Sequence, residues 1–213
     1  MIRVLLVDDH AVVRSGYRRL IDAEDDMRLV AEAENADQAC AALREHQPDV
    51  VVMDLSLREG SGLDAIARLL ERSSDLRVLV FSMHQSVGHV TQALRNGALG
   101  YITKHSDPLE MIAAIRTVAQ GRKVFSNDIA HALACDAVQH QNPLHCLTPR
   151  EFDILRLFAT GTQASSVGEQ LHLSPKTVLN HLSNIRRKLD VGSEMELLTL
   201  AARHGLVPWP ALA

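Results

Sequence analysis

Cysteine is scarce in this chain of 213 residues, which holds only Cys40, Cys135 and Cys146. Three is an odd number and no two of them form a C-x-x-C spacing, so a disulfide framework is excluded as what holds the fold. Also missing is any uninterrupted apolar run near the roughly 18 positions a spanning helix requires. The start, Met1-Ile2-Arg3-Val4-Leu5-Leu6-Val7-Asp8-Asp9, places two acids where a signal peptide would still be apolar, with no small-residue cleavage site behind them. The expected compartment is the cytoplasm, with no membrane partner. Aromatics are few as well, yet 46% of the residues are apolar, too many for a disordered or collagen-like chain. At about 100 to 200 residues per domain, the length allows one large domain or two modest ones.

A strongly basic domain is the usual mark of a nucleic-acid binder, and none is present. Residues 1 to 146 carry 15 basic and 20 acidic side chains (15 − 20 = −5), and residues 147 to 213 carry 7 and 6 (7 − 6 = +1). Any DNA binding must therefore rest on where the few charges sit.

What is present first is alternation. Short β-branched runs at 3 to 7, 28 to 33, 49 to 53, 77 to 81 and 99 to 103 are separated by amphipathic stretches near 11 to 22, 35 to 46, 61 to 72, 86 to 96 and 107 to 120. Runs apolar on both faces and joined by helices predict a five-stranded parallel sheet covered on both sides, a doubly wound α/β domain over 1 to 121. From 122 to 146 the text becomes polar, rich in His and Gln, and reads as a short helix followed by a linker. His131, Cys135, His140, His145 and Cys146 crowd this segment, but their spacings are not those of a zinc motif. The remainder, 147 to 213, predicts a small all-α domain. Thr148-Pro149-Arg150-Glu151 is a capping box with proline in the first turn, Gly161 ends that helix, and Ser174-Pro175 opens the third of four helices.

In a doubly wound sheet, ligands meet the carboxyl ends of the strands. Asp8 and Asp9 end the first strand, Asp54 the third and Ser82 the fourth, and Lys104 follows the fifth. One acid at a strand end is ordinarily a cap or a solvated loop residue. Three acids converging on one rim repel each other and call for a cation, and an all-oxygen set suits Mg²⁺. Metal and Lys104 together would neutralise charge on a transferring phosphoryl group, Ser82 would donate to one of its oxygens, and Asp54 is the central candidate for a carboxylate nucleophile.

Taken in order, Asp8-Asp9, Asp54, Ser82, Tyr101 and Lys104 resemble the receiver domain of response regulators, over residues 1 to 121. The resemblance implies that a sensor histidine kinase phosphorylates Asp54. It further implies that Asp8, Asp9, Asp54 and the backbone carbonyl of Ser56 hold Mg²⁺, that Lys104 contacts the phosphoryl group, and that Ser82 and Tyr101 switch rotamers together. Arg58 stands where the family usually has proline, and His105, read as an exposed loop residue, follows Lys104 where some receivers have a cis-proline.

In the helix 175 to 189, successive residues turn by about 100°, so Val178, Leu182, Ile185 and Leu189 form one apolar stripe. Lys176, Asn180, Ser183, Asn184 and Arg187 lie opposite, with Leu179 on the flank and no acid anywhere on that face. An amphipathic helix is commonly plain surface, but solvated faces mix Glu with Lys. An acid-free face reads as a major-groove reader: Asn can pair with adenine, Leu179 can touch a thymine methyl, and Lys176 and Arg187 can reach phosphates.

Leu147-Thr-Pro-Arg-Glu, Gly161, Leu171-x-Leu-Ser174, Lys176-Thr177-Val and Asn184-Ile-x-x-Lys188-Leu resemble the LuxR-type helix-turn-helix. Together with the receiver, the whole chain resembles a NarL/FixJ-family regulator of transcription. That implies double-stranded DNA as a partner, a homodimer when phosphorylated, a route open to RNA polymerase, and no enzymatic role in the usual sense. The second helix departs from the family, with Gln163-Ala-Ser-Ser-Val-Gly168 where Ser/Thr-Asn-Lys-Glu-Ile-Ala is common. Gly168 is expected to cost helix stability, and weak nonspecific affinity would follow from the missing lysine and the +1 charge. Two rival readings are a phosphorylation-gated protein-interaction module with a degenerate second domain, and a Mg²⁺-dependent phosphatase, for which the sequence supplies no substrate pocket.

Overall fold

The structure, a computed structural model, describes residues 1–58, 60–139 and 143–207. The chain divides into two units, Met1–Gln85 with Ala93–His131, and Ser86–Gln92 with Ala132–Ala213.

The first unit is built on parallel strands β1 (Ile2–Val7), β2 (Met27–Ala33), β3 (Val50–Met53), β4 (Arg77–Ser82), β5 (Gly100–Thr103) and β6 (Val124–Phe125). Their order is β2-β1-β3-β4-β5-β6. The sheet therefore has six strands where the hydrophobic pattern predicts five. The sixth is two residues long, and its pairing of Gly100 with Val124 and Tyr101 with Phe125 leaves no period to read. Helices α1 (Ala11–Asp22), α2 (Ala36–His46), α3 (Gly62–Arg72), α4 (Val87–Arg95) and α5 (Pro108–Ala119) follow the first five strands in turn. Val50, Val51, Val52 and Met53 are wholly buried, as a central strand covered on both faces demands.

Local chemistry fixes where the helices start and stop. Asn35, Ser61 and Asp107 each accept a backbone N–H at the start of α2, α3 and α5. Gly121, at φ +74°, turns the chain after α5 in the left-handed region that suits glycine. Between Met53 and Gly62 the chain must return tightly to the sheet. A Cβ on Gly62 would collide with the carbonyl oxygen of Asp54 and with Leu55 Cα, so only glycine lets α3 begin against the end of β3.

Helix α6 (Asn127–Gln139) and a 3-10 turn (Pro143–Cys146) occupy most of the stretch expected to hold a short helix and linker. His140 lies outside the described residues, as does the expected second domain beyond Val207. Four helices follow: α7 (Pro149–Ala159), α8 (Ala164–Leu171), α9 (Pro175–Lys188) and α10 (Glu194–Arg203). The capping box at α7 is formed. Thr148 N–H donates to Glu151 Oε2 at 2.8 Å, and Glu151 N–H donates to Thr148 Oγ1 at 3.3 Å. Lys188 Nζ reaches the same Glu151 oxygen at 2.6 Å and ties the end of α9 to the start of α7. Burial pushes the Glu151 carboxyl up, but Lys188 and the Thr148 donors outweigh it and hold it below the usual glutamate value.

Gly168 has a structural purpose that its helix propensity hides. It is buried in α8, and a Cβ there would stand 2.6 Å from the carbonyl oxygen of Leu173. The turn into α9 crosses α8 at this point: His172 adopts φ +54° and Leu173 N–H donates to Gly168 O at 2.8 Å. Gly168→Ala should therefore destabilise this unit by about 1–3 kcal/mol through overpacking, where propensity alone would favour alanine by about 1 kcal/mol. Denaturant midpoints of the two proteins give the sign, and an alanine variant of equal or greater stability would refute the close approach.

Candidate functional site

Strand ends deliver the acid rim. Asp8 follows β1, Asp54 follows β3, and the two side chains are 1% and 2% exposed. Lys104 follows β5 and anchors its backbone by donating its N–H to Ser82 O at 2.9 Å. Its ammonium donates to Asp8 Oδ2 and to Asp54 Oδ2, each at 2.6 Å. Burial works against that charge, yet the two carboxylates overcome it and raise the Lys104 pKa above its ordinary value. Arg14, buried in α1, holds the Asp8 carbonyl through Nη1 at 2.5 Å.

Asp9, also expected on the rim, pairs with Arg58, whose Nε lies 3.1 Å from Asp9 Oδ2. The residue that replaces the family's proline is thus a counter-ion of the rim. Ser56 joins the site through its backbone, donating its N–H to Asp54 Oδ1 at 3.1 Å. Ser82 and Tyr101 are fully buried. The Tyr101 hydroxyl donates to the carbonyl of His84 at 2.8 Å, and burial raises its pKa far above the ordinary tyrosine value. His105 is exposed, as its loop position implies.

Sequence reasoning passed over two histidines here. His84 Nε2 lies 3.0 Å from Ser56 Oγ and links the loops after β3 and β4. His10 Nδ1 lies 2.8 Å from Asp9 Oδ1 and 3.2 Å from Asp8 Oδ1. The adjacency Asp8-Asp9-His10 was the available signal. Among the described residues, Asp8, Asp9, His10 and Asp54 form the one group of three or more such side chains spaced to share a metal ion, and the described His131, Cys135, His145 and Cys146 form no such group with one another.

In the helical unit, α9 presents its faces as its period requires. Val178, Leu182, Ile185 and Leu189 are buried, whereas Lys176, Leu179, Asn180, Ser183, Asn184 and Arg187 are exposed. Thr177 is half-buried at the first turn, where Ser174 Oγ accepts its N–H at 3.1 Å. Arg187 Nη2 donates to Asn184 Oδ1 at 3.2 Å. With Lys188 engaged on Glu151, the side chains left on the acid-free face are those that the helical period selects.

A parallel sheet with acids and a lysine at its strand ends, followed by a four-helix unit with an exposed acid-free helix, is the arrangement of a receiver joined to a helix-turn-helix domain. The family model described as the response regulator receiver domain matches residues 4–116, and that of bacterial regulatory proteins of the luxR family matches 145–201. The chain belongs to the response regulators of the NarL/FixJ family, which join a receiver to a LuxR-type DNA-binding domain. It is 37% identical to the response regulator GacA of Pseudomonas aeruginosa over 97% of this chain and 98% of that one. Among solved structures, a LuxR-family two-component response regulator from an Aurantimonas species is 43% identical, with TM-score 0.63, covering 65% of this chain and 99% of that one. RcsB of Salmonella enterica, solved on promoter DNA with the phosphomimetic BeF3⁻, is 22% identical with TM-score 0.72 over 95% of this chain and 98% of that one, a likeness of fold. No helix among the described residues is long and apolar enough to cross a membrane.

Proposed function

We propose that residues 1–121 accept a phosphoryl group on Asp54 from a sensor histidine kinase, and that this controls dimerisation and DNA binding by residues 147–213, joined through 122–146. The observation that carries the reading is Lys104 Nζ held 2.6 Å from both Asp8 and Asp54. A cation poised between two buried acids can follow charge from the carboxylate to an incoming phosphoryl oxygen.

In the transfer, an Asp54 oxygen forms a bond to phosphorus while the bond from phosphorus to the donor's imidazole nitrogen, or to acetate from acetyl phosphate, breaks. The leaving group takes up the proton it needs from solvent. Lys104 exchanges its place on Asp54 for one on the phosphoryl group, and Ser82 supplies a hydroxyl donor. The donor set fits Mg²⁺, since three carboxylates converge and the buried Asp9 Oδ1 accepts no hydrogen bond. Asp8, Asp9, Asp54 and the Ser56 carbonyl would hold the ion, which supplies neutralisation of phosphoryl charge when bound. The protein acts in the cytoplasm as a regulator of transcription open to RNA polymerase, with no substrate turnover beyond its own acyl phosphate.

Coupling is tested on the full chain by sedimentation and DNA binding before and after acetyl phosphate with Mg²⁺. The expected result is a larger dimer fraction and tighter DNA binding after phosphorylation. A labelled protein in which neither changes would favour the uncoupled protein-interaction module.

A further inference from the structure

Lys104 and Arg58 meet the acids of the phosphorylation site in opposite ways. The Lys104 side chain is 9% exposed and spans Asp8 and Asp54, whereas that of Arg58 is 77% exposed and pairs with Asp9 alone, its Nε 3.1 Å from Oδ2. Among the described residues, the two Nη groups of Arg58 take no partner, so the guanidinium is anchored by one nitrogen and its other donors are uncommitted. Arg58 stands four residues beyond Asp54 on a turn that closes where Gly62 N–H donates to Leu55 O at 3.3 Å. The turn keeps Arg58 at the mouth of the site, and Asp9, which it holds, brings a carboxylate oxygen within 4.8 Å of one on Asp54. An arriving phosphoryl group comes from solvent, and a guanidinium on an exposed, flexible stem can meet its oxygens there.

Charge argues in the same direction. Three carboxylates against Lys104 leave the rim at −2, and Arg58 brings it to −1. A phosphodonor arrives as a dianion, and the planar donors of a guanidinium match phosphoryl oxygens two at a time. We propose that Arg58 is a specificity-determining residue of the phosphotransfer site, which holds Asp9 before the donor arrives and exchanges it for the incoming phosphoryl group. The inference rests on phosphorylation of Asp54 as proposed above and adds the residue that captures the donor. Arg58 makes and breaks no covalent bond. Its Nη groups donate to phosphoryl oxygens, and the class of ligand it selects is a dianionic phosphoryl donor, whatever the leaving group.

Two opposed effects of Arg58→Ala test this on the full chain. Label uptake from acetyl phosphate and from phosphoramidate, at saturating Mg²⁺, should need about tenfold more donor for half-maximal rate, with the maximal rate changed less. That is the low end for a charge-assisted bond, because the side chain is exposed. Mg²⁺ titrated calorimetrically without donor should bind more tightly, by up to about fivefold, since the guanidinium no longer competes for Asp9. Arg58→Lys, which keeps the charge without the fork, should leave Mg²⁺ affinity near that of the wild type and restore the donor requirement only in part. If Arg58→Ala tightens Mg²⁺ but leaves both donor requirements unchanged, Arg58 is a counter-ion of Asp9 alone and the inference is overturned, with the function proposed above intact. A loss of donor and Mg²⁺ affinity together would make the role structural and overturn it as well. A loss confined to acetyl phosphate would do the same, placing Arg58 on the acetyl group. If the wild type takes up no label from either donor, the reading of Asp54 fails and the inference falls with it.

Discussion

Asp54→Asn should take up no phosphoryl group under conditions in which the wild type is labelled to one equivalent by acetyl phosphate and Mg²⁺. The amide cannot serve as the nucleophile, and no other carboxylate on the rim can replace it easily. Asp8 already binds Lys104 at Oδ2 and His10 through Oδ1, with its backbone N–H bonded to Ala33 O. Asp9 is paired with Arg58. Intact mass spectrometry reads the result directly, and a fully labelled variant would remove Asp54 from its proposed role. Loss of fold is not an escape from this test. Asparagine matches aspartate in shape and keeps an oxygen for Lys104, whose ammonium stays paired with Asp8, so Asp54→Asn should still unfold in one cooperative thermal transition.

The second large effect is expected on DNA. Asn180→Ala should cost about 1–3 kcal/mol on an operator and little on scrambled duplex, because a base-edge hydrogen bond carries sequence information. Lys176→Ala and Arg187→Ala should instead weaken both duplexes alike and each flatten the salt dependence, by about 0.9 in the logarithmic slope for every phosphate left without its cation. Lys188→Ala serves as the contrast. Its ammonium is committed to the buried Glu151, so its removal should lower stability by unpairing that acid and leave the salt slope unchanged. Isotherms on operator and scrambled DNA at two salt concentrations separate these cases. If Asn180→Ala lowers both affinities equally, or neither, α9 docks some other way.

Much of this could be read in the sequence because two signals are nearly independent of tertiary context. Runs of Val and Leu buried on both faces announce a parallel sheet, and once the strands are placed, Asp8, Asp54, Ser82 and Lys104 fall on one rim by topology. The stripe of Val178, Leu182, Ile185 and Leu189 likewise fixes which side of α9 faces outward. Features that depend on one local juxtaposition were not legible. Strand β6 is too short to show alternation. Gly168 looks like a defect until Leu173 is seen to cross it, and Arg58 looks like a lost proline until it is found on Asp9. His10 and His84 sit at loop ends, where no period selects them and only the folded chain shows what their rings face.

The close seating of Gly62 against Asp54 has a consequence for how this molecule can vary. Both ends of the segment from Leu55 to Ser61 are clamped, one by the end of β3 and the other by a glycine on which no side chain fits. The Ser61 hydroxyl, which accepts the Asp64 N–H at 3.4 Å, adds a further fastening. Arginine has entered this segment at a position usually held by proline without detaching Ser56 from Asp54. The segment is therefore strict in length: Leu55, Leu57 and Ser61 are buried and held to the core, the exposed Arg58 is the position at which a side chain can change and retune the rim, and a single inserted residue would have to bulge outward or unseat α3 from the sheet. Diversity among receivers built this way should accumulate here as substitutions, with gaps and insertions falling elsewhere.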